Sequence, residues 1–562
     1  MPSPPADLVA RIEAELRPLE VELAEAWWES NTRSSEAADV RRTAAELARR
    51  SYLADAETFA AVRAAREDLA GDADADPLLR RQLEVLYDAF VPHQVSADLR
   101  RAIVELETTV ESTFNNFRGS IGGRRVDDNA IAEILRTSDD ADERRAAWEA
   151  SKQIGPEVAN RIRELARLRN QAARDLGARD HFALALATGE LDEARLFATL
   201  DDVDRATAEP FAAWKHEVDA SLARRFGCAT GDLRPWHYDD PFFQSPPAEG
   251  AIAIDHLFAD ADLEALTLRT YDGLGLDVRP VLGHSDLYAR EGKSQHAFCI
   301  DIDRAGDVRV LCNVEPSERW MDTMLHEFGH AIYDRECDDT LPWLVRGAAH
   351  ALTTEGIAML MGRLPRDPRW LRNVAEVDDD AVAAIAPALE EARRAALLVF
   401  ARWVLVMTNF ERRLYADPDA DLDTLWWDLV ERHQLLHRPD DRHAPDWAAK
   451  IHLAAAPVYY QNYLYGELRR EQLPVEVVLV AARRHARGAH RRARRPTRRG
   501  RAAPHRRLRA GRVAAVGRPG DPGHRRAALG LAPGAPAEST RLMKMQWRRG
   551  RTARTPERNR PV

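Results

Sequence analysis

The stretch with the clearest chemical content is His326-Glu327-Phe328-Gly329-His330. On a helix, residues i and i+4 share one face, so both imidazoles reach a single ion. The acid between them then stands where it can take a proton from an attacking water. Met321, Met324, Leu325, Phe328 and Ile332 form an apolar stripe at helical spacing, which supports a helix here. With 18 His in 562 residues, the bare pattern arises by chance in roughly one such chain in twenty, so the case needs another ligand.

Catalytic zinc takes three protein ligands and leaves one position open. Glu355 offers the third. It opens an apolar helical segment behind Thr353-Thr354, which read as capping residues. An acid at a helix N-terminus is favourable to the dipole in any case, but beside two suitably spaced histidines the ligand reading is preferred. The four cysteines (Cys228, Cys299, Cys312, Cys337) have no ligand spacing and read as reduced structural thiols. One Zn2+ per chain is therefore expected on His326, His330 and Glu355, with Glu327 as general base.

Two later groups could complete a site, Lys450-Ile451-His452 and Tyr459-Tyr460-Gln461-Asn462-Tyr463. A phenol or imidazole aimed at an oxyanion stabilises it. Tyr460 and Tyr463 share a face if the segment is helical, although aromatic helix faces more often simply pack.

The elements that must position these groups are mostly helical in pattern. Helical spacing fills 6–28, 36–70, 77–90, 96–120, 127–152 and 156–176, and continues from Asp180 to Phe226 with a break near Gly189. Residues 227–252 collect prolines among Trp236, Tyr238, Phe242 and Phe243. They read as an aromatic-packed loop on a cleft rim or as a simple crossover. His296–Ile302 and Val308–Asn313 alternate on either side of Arg304-Ala305-Gly306-Asp307, the pattern of a hairpin. Helix resumes over Trp320–Tyr333, Thr353–Arg363 and Asp378–Leu414. No fixed-period repeat is present, which argues against a solenoid. The fold class expected is mainly α.

Composition bounds the setting. No apolar run approaches bilayer length, and the start of the chain lacks the basic-then-apolar pattern of a secretory signal, so a cytoplasmic protein is the expectation. Residues 481–562 carry 25 Lys and Arg against three Asp and Glu, within a chain whose net charge is −10. This Arg-Pro-Gly-rich tail reads either as a disordered basic arm that binds nucleic acid or as the product of a reading-frame shift in a GC-rich gene. The abrupt change favours the second. Only five lysines occur. An acidic surface with Arg in place of Lys suits high salt, and a GC-rich genome alone also favours Arg.

At the residues quoted, the chain resembles the HExxH-plus-Glu peptidases of the angiotensin-converting-enzyme (peptidyl-dipeptidase A) and thimet-oligopeptidase/oligoendopeptidase F families. The resemblance is strong over about 290–470 and weaker upstream, as in Arg163-Glu164-Leu165 through Asp175-Leu176-Gly177. It implies a two-lobed helical fold around a deep central channel, in a unit spanning 1–478 with 479–562 as tail. It further implies His326, His330 and Glu355 as zinc ligands and Glu327 as general base and acid. His296-Ala297 would lie on an edge strand that receives substrate backbone. His296 and His452 would hold substrate carbonyls, Tyr463 would stabilise the oxyanion, and Lys450 and Tyr460 would take a peptide's C-terminal carboxylate. The product would be a C-terminal dipeptide. An endo-oligopeptidase of the oligoendopeptidase F type is the alternative, and a non-catalytic peptide- or nucleic-acid-binding protein a second. Short peptides are the implied partners, with no membrane and at most non-specific nucleic acid through the tail.

The chain departs from the converting-enzyme pattern in several places. One extra residue separates His452 from Tyr460, so Tyr459 competes for the carboxylate role. Gln461-Asn462 stand where an arginine is common, which puts chloride activation in doubt. Met359 replaces a carboxylate behind the glutamate ligand, and the tail replaces C-terminal helices.

Overall fold

The computed structural model describes residues 4–72, 74–247, 254–440 and 442–470. The tail expected at 479–562 lies outside the described residues. Within them the protein is mainly α, with two small antiparallel strand pairs. The acidic composition is put to local use. Asp55, Asp127, Asp140, Asp180, Asp192, Asp262 and Asp421 each cap a helix by accepting a backbone N–H of its first turn.

Those caps explain where the observed elements depart from the periodicity. The stretch 36–70 is two helices, Glu36–Leu53 and Ala56–Ala70, because Asp55 starts the second. Likewise 127–152 divides into Asp128–Thr137 and Ala141–Lys152 at Asp140. The helix expected to run to 120 stops at Asn116, and Gly119–Ile121 pairs with Arg124–Val126 around Gly122 and Gly123, both at positive φ. The break near Gly189 is present, between His181–Thr188 and Glu193–Phe226.

Three apolar cores hold the fold. One joins the helices Ile154–Asp175, Glu193–Phe226 and Asp379–Ala416 through Phe211, Trp403, Phe410 and Trp447. The aromatic loop belongs to this core. Trp236 meets Trp148 with ring centres 5.9 Å apart and Phe242 meets Trp403 at 5.5 Å, so it is packed in place rather than crossing over the surface. A second core surrounds the helix Glu318–Arg335 and buries Met321, Met324, Leu325, Phe328 and Ile332, the stripe seen in the sequence. The third joins the first four helices to Trp343 and Leu344.

The hairpin is shorter than its pattern. Phe298–Asp301 pairs with Val308–Leu311, and the register runs from Phe298↔Leu311 to Asp301↔Val308. Beyond the last pair, the Asn313 side chain donates to the Ser294 carbonyl in the segment before the strand. His296 and Ala297 therefore precede the strand.

Candidate active site

Two helices carry the expected ligands. The metal helix, Glu318–Arg335, starts at Ser317, whose hydroxyl accepts the Trp320 N–H. The glutamate helix, Ala351–Gly362, starts four residues earlier than Glu355, with His350 and Thr353 forming its capping box. Thr354 is thus not a cap. Its hydroxyl lies 2.6 Å from His330 Nδ1, which fixes that ring and leaves Nε2 for a ligand role.

Glycines allow the helices to touch. A Cβ on Gly329 would stand 2.8 Å from the Ala358 Cα, and one on Gly362 would stand 2.7 Å from Asp322 Oδ1. The last described helix, Tyr460–Arg470, closes on the same place, where a Cβ on Gly466 would meet Glu355 Cβ at 3.0 Å. Arg363 and Glu467 tie the glutamate helix to this third helix with a 2.7 Å ion pair.

The result is a compact triangle. His326 Nε2 and His330 Nε2 are 3.2 Å apart, and Glu355 Oε2 is 3.7 Å from each. These separations place one point about 2.1 Å from all three atoms, the length of zinc–nitrogen and zinc–oxygen bonds. Glu355 is 2% exposed, and its Oε2 is a buried oxygen with no hydrogen-bond partner. Such an atom is costly unless something completes it. Its Oε1 is already satisfied by the Tyr459 hydroxyl at 2.7 Å. Burial pushes His326 down to about 4 and His330 well below the usual range, so both rings are neutral, the form that binds metal. The donor set fits zinc. Among the described residues this is also the group whose ligand atoms converge as a metal site requires.

Glu327 lies on the same helix and is 8% exposed. Burial, with the Glu355 carboxylate adding, raises it to about 8, against a backbone hydrogen bond from Cys299 of the hairpin. A bound dication would counter that rise.

Beyond the triangle lie the remaining residues singled out above. The Tyr463 hydroxyl is 3.4 Å from His452 Nε2, and the Tyr463 ring stands 5.2 Å from Tyr459 and 5.3 Å from Tyr460. Burial holds the Tyr463 phenol well above its ordinary value, with Glu355 and Tyr459 adding, so it stays a proton donor. His452 Nδ1 is buried without a partner. Burial, then Lys450 and His296, depress this ring, which places the three groups in one electrostatic neighbourhood. The Lys450 ammonium donates to Gln244 Oε1 at 2.7 Å and lies 5.2 Å from the Phe242 ring, 5.5 Å from Trp403 and 5.8 Å from Tyr460. Burial lowers it to about 8 despite Asp240 and Asp128. Ala297 packs against the core of the metal helix.

Sequence reasoning missed several participants. Tyr459 competes in the sequence for a carboxylate-binding role, yet its hydroxyl donates to the candidate ligand Glu355. Gln244 lies more than two hundred residues from Lys450 in the chain and carries no motif. The close-approach glycines were legible only as Gly329 inside the metal motif.

A buried His-His-Glu triangle beside an acid on the same helix is a donor set suited to a catalytic metal. Residues 282–468 match the sequence model of peptidase family M3. That span holds the hairpin, all three candidate ligands, Glu327, Lys450 and Tyr463, and the match supports a metallopeptidase acting on peptides, of the thimet-oligopeptidase/oligoendopeptidase kind. No curated protein matches the chain. Among the described residues no helix is long and apolar enough to cross a membrane.

Proposed function

We propose that this protein is a zinc peptidase that cleaves short peptides and releases dipeptides from their C-terminus. The observation that carries the peptidase reading is the triangle of His326, His330 and Glu355 with an unpartnered carboxylate oxygen facing both rings. When bound there, zinc supplies Lewis acidity that polarises a peptide carbonyl and acidifies water. Glu327 takes the proton of the attacking water and returns it to the leaving amine. A bound dication, by countering the burial that raises Glu327, would leave this carboxylate ionised and able to accept that proton. Tyr463, backed by His452, donates to the oxyanion as it forms, and His296 helps to hold the substrate carbonyl. The chain at His296-Ala297 lines up substrate backbone at the entry to the hairpin strand.

Release of dipeptides rests on Lys450. Among the described residues this buried ammonium has an amide, Gln244, and aromatic rings as its neighbours, and it makes no ion pair. Asp240 and Asp128 act on it without a direct ion pair, and a buried cation so placed favours an anionic ligand. A substrate's terminal carboxylate meets that need, with Gln244 and Tyr460 as further donors.

The family M3 match favours a second reading, an endo-oligopeptidase indifferent to the substrate's end. One peptide assayed with a free and then an amidated C-terminus separates the two. Dipeptide release requires cleavage of the amide to fall at least about tenfold, and Lys450→Met to abolish the difference. Equal rates on both peptides remove Lys450 from substrate binding.

A further inference from the structure

Val458 immediately precedes the tyrosine that braces the metal ligand, and its φ is +55°. A β-branched residue in the left-handed region is a backbone outlier that persists only when its surroundings enforce it. Here both of its backbone groups are taken by buried side chains. Glu411, 2% exposed on the helix Asp379–Ala416, accepts the Val458 N–H at 2.6 Å. The Gln461 amide donates to the Val458 carbonyl. The chain just upstream is held as firmly. Arg169, 4% exposed, donates to the carbonyls of Leu453 and Ala454 at 3.2 and 2.7 Å, and to the Tyr415 hydroxyl one turn from Glu411.

We propose that Glu411 is a positioning residue for the metal centre. By taking the Val458 N–H, it keeps that residue left-handed and so aims the Tyr459 phenol at Glu355. Tyr459 in turn occupies Oε1 and leaves Oε2 facing the two histidines. Glu411 touches neither metal ligand nor substrate. It acts through one peptide group and one phenol. This inference rests on the metallopeptidase reading above, since the ligand it orients is Glu355. Burial raises the Glu411 carboxyl to about 8, toward the uncharged acid that glutamine mimics.

The test uses the full chain stripped of metal, with zinc affinity measured by chelator competition and melting temperature recorded with and without zinc. Glu411→Ala is expected to weaken zinc binding about 10–100-fold, the usual effect of losing an outer-shell partner. Glu411→Gln, whose amide oxygen accepts the same N–H, stays within about threefold of the parent. Adding Val458→Gly to Glu411→Ala restores affinity to within about threefold, because glycine holds a positive φ unaided. The double variant also decides the matter if Glu411→Ala alone does not fold. A folded double variant with near-parental affinity supports the clamp, and an unfolded or weakly binding one overturns it. Parental affinity in Glu411→Ala overturns it too. A purely structural Glu411 would lower the zinc-free melting temperature, with no recovery from glycine. If the parent takes up no zinc, or His330→Ala still binds it, the metallopeptidase reading fails whatever Glu411 does.

Discussion

Replacing Gly329 by alanine tests how tightly the metal centre depends on helix contact. The new methyl carbon would lie 2.8 Å from the Ala358 Cα on the glutamate helix. Carbon atoms rest at about 3.5–4.0 Å, so the two helices must part by roughly 0.7 Å or more. Backbone faces backbone here, and no flexible side chain can give way. The histidines ride on one helix and Glu355 on the other. An added 0.7 Å stretches their 3.7 Å separations to about 4.4 Å, and the point equidistant from all three atoms moves from about 2.1 to about 2.4 Å, beyond zinc bond length. Glu355 cannot swing to compensate without breaking its 2.7 Å hydrogen bond from Tyr459. The expected result is a loss of about 1–3 kcal/mol in zinc-free stability from overpacking. Zinc affinity should fall about 10–100-fold as well. Denaturant melts of the metal-free chain and chelator competition measure the two effects. Unchanged zinc affinity in a folded Gly329→Ala chain would refute the argument that glycine contact sets the ligand spacing.

Glu327→Ala should retain zinc, by elemental analysis, while turnover drops about 10²–10⁴-fold, whereas His330→Ala should lose the metal itself. Tyr459→Phe strips Glu355 of its brace and should weaken zinc about tenfold or more with little change in fold by circular dichroism. The Glu107 carboxylate provides a pH test of stability. Burial alone would raise it, but Arg50 and Arg169 outweigh burial and take it from 4.5 down to about 2. Because the folded value lies below the unfolded one, the ion network contributes fully above about pH 4.5 and that contribution is lost as pH falls toward 2. The displacement is equivalent to about 3 kcal/mol, so Glu107→Gln should melt well below the parent at pH 7 and close to it near pH 2. A gap independent of pH would show that Glu107 acts by packing rather than by charge.

The convergence of His326, His330 and Glu355 was legible because helical spacing converts a short pattern directly into geometry, and the apolar stripe beneath it marked the buried face. The hairpin was legible too, from alternation around a glycine turn. Helix ends were less so. Ala-rich periodicity runs on through Asp55 and Asp140, and only the side-chain caps reveal that new helices begin there. Thr354 shows the converse error, since a residue typical of caps turned out to hold a histidine. Contacts between distant segments had no sequence signal at all. Gln244 meets Lys450, and Glu411 meets Val458, through tertiary packing that no local pattern encodes.

The seat of Gly466 against Glu355 has a consequence for biosynthesis. A nascent chain that has passed Glu355 already owns all three candidate ligands. It still lacks the phenol that turns the carboxylate and the surface that presses it home, both of which emerge about a hundred residues later. At translation speeds of about 5–20 residues per second this delays closure of the centre by about 5–20 seconds. Closure of the candidate site is thereby withheld until the polypeptide around it has had time to pack.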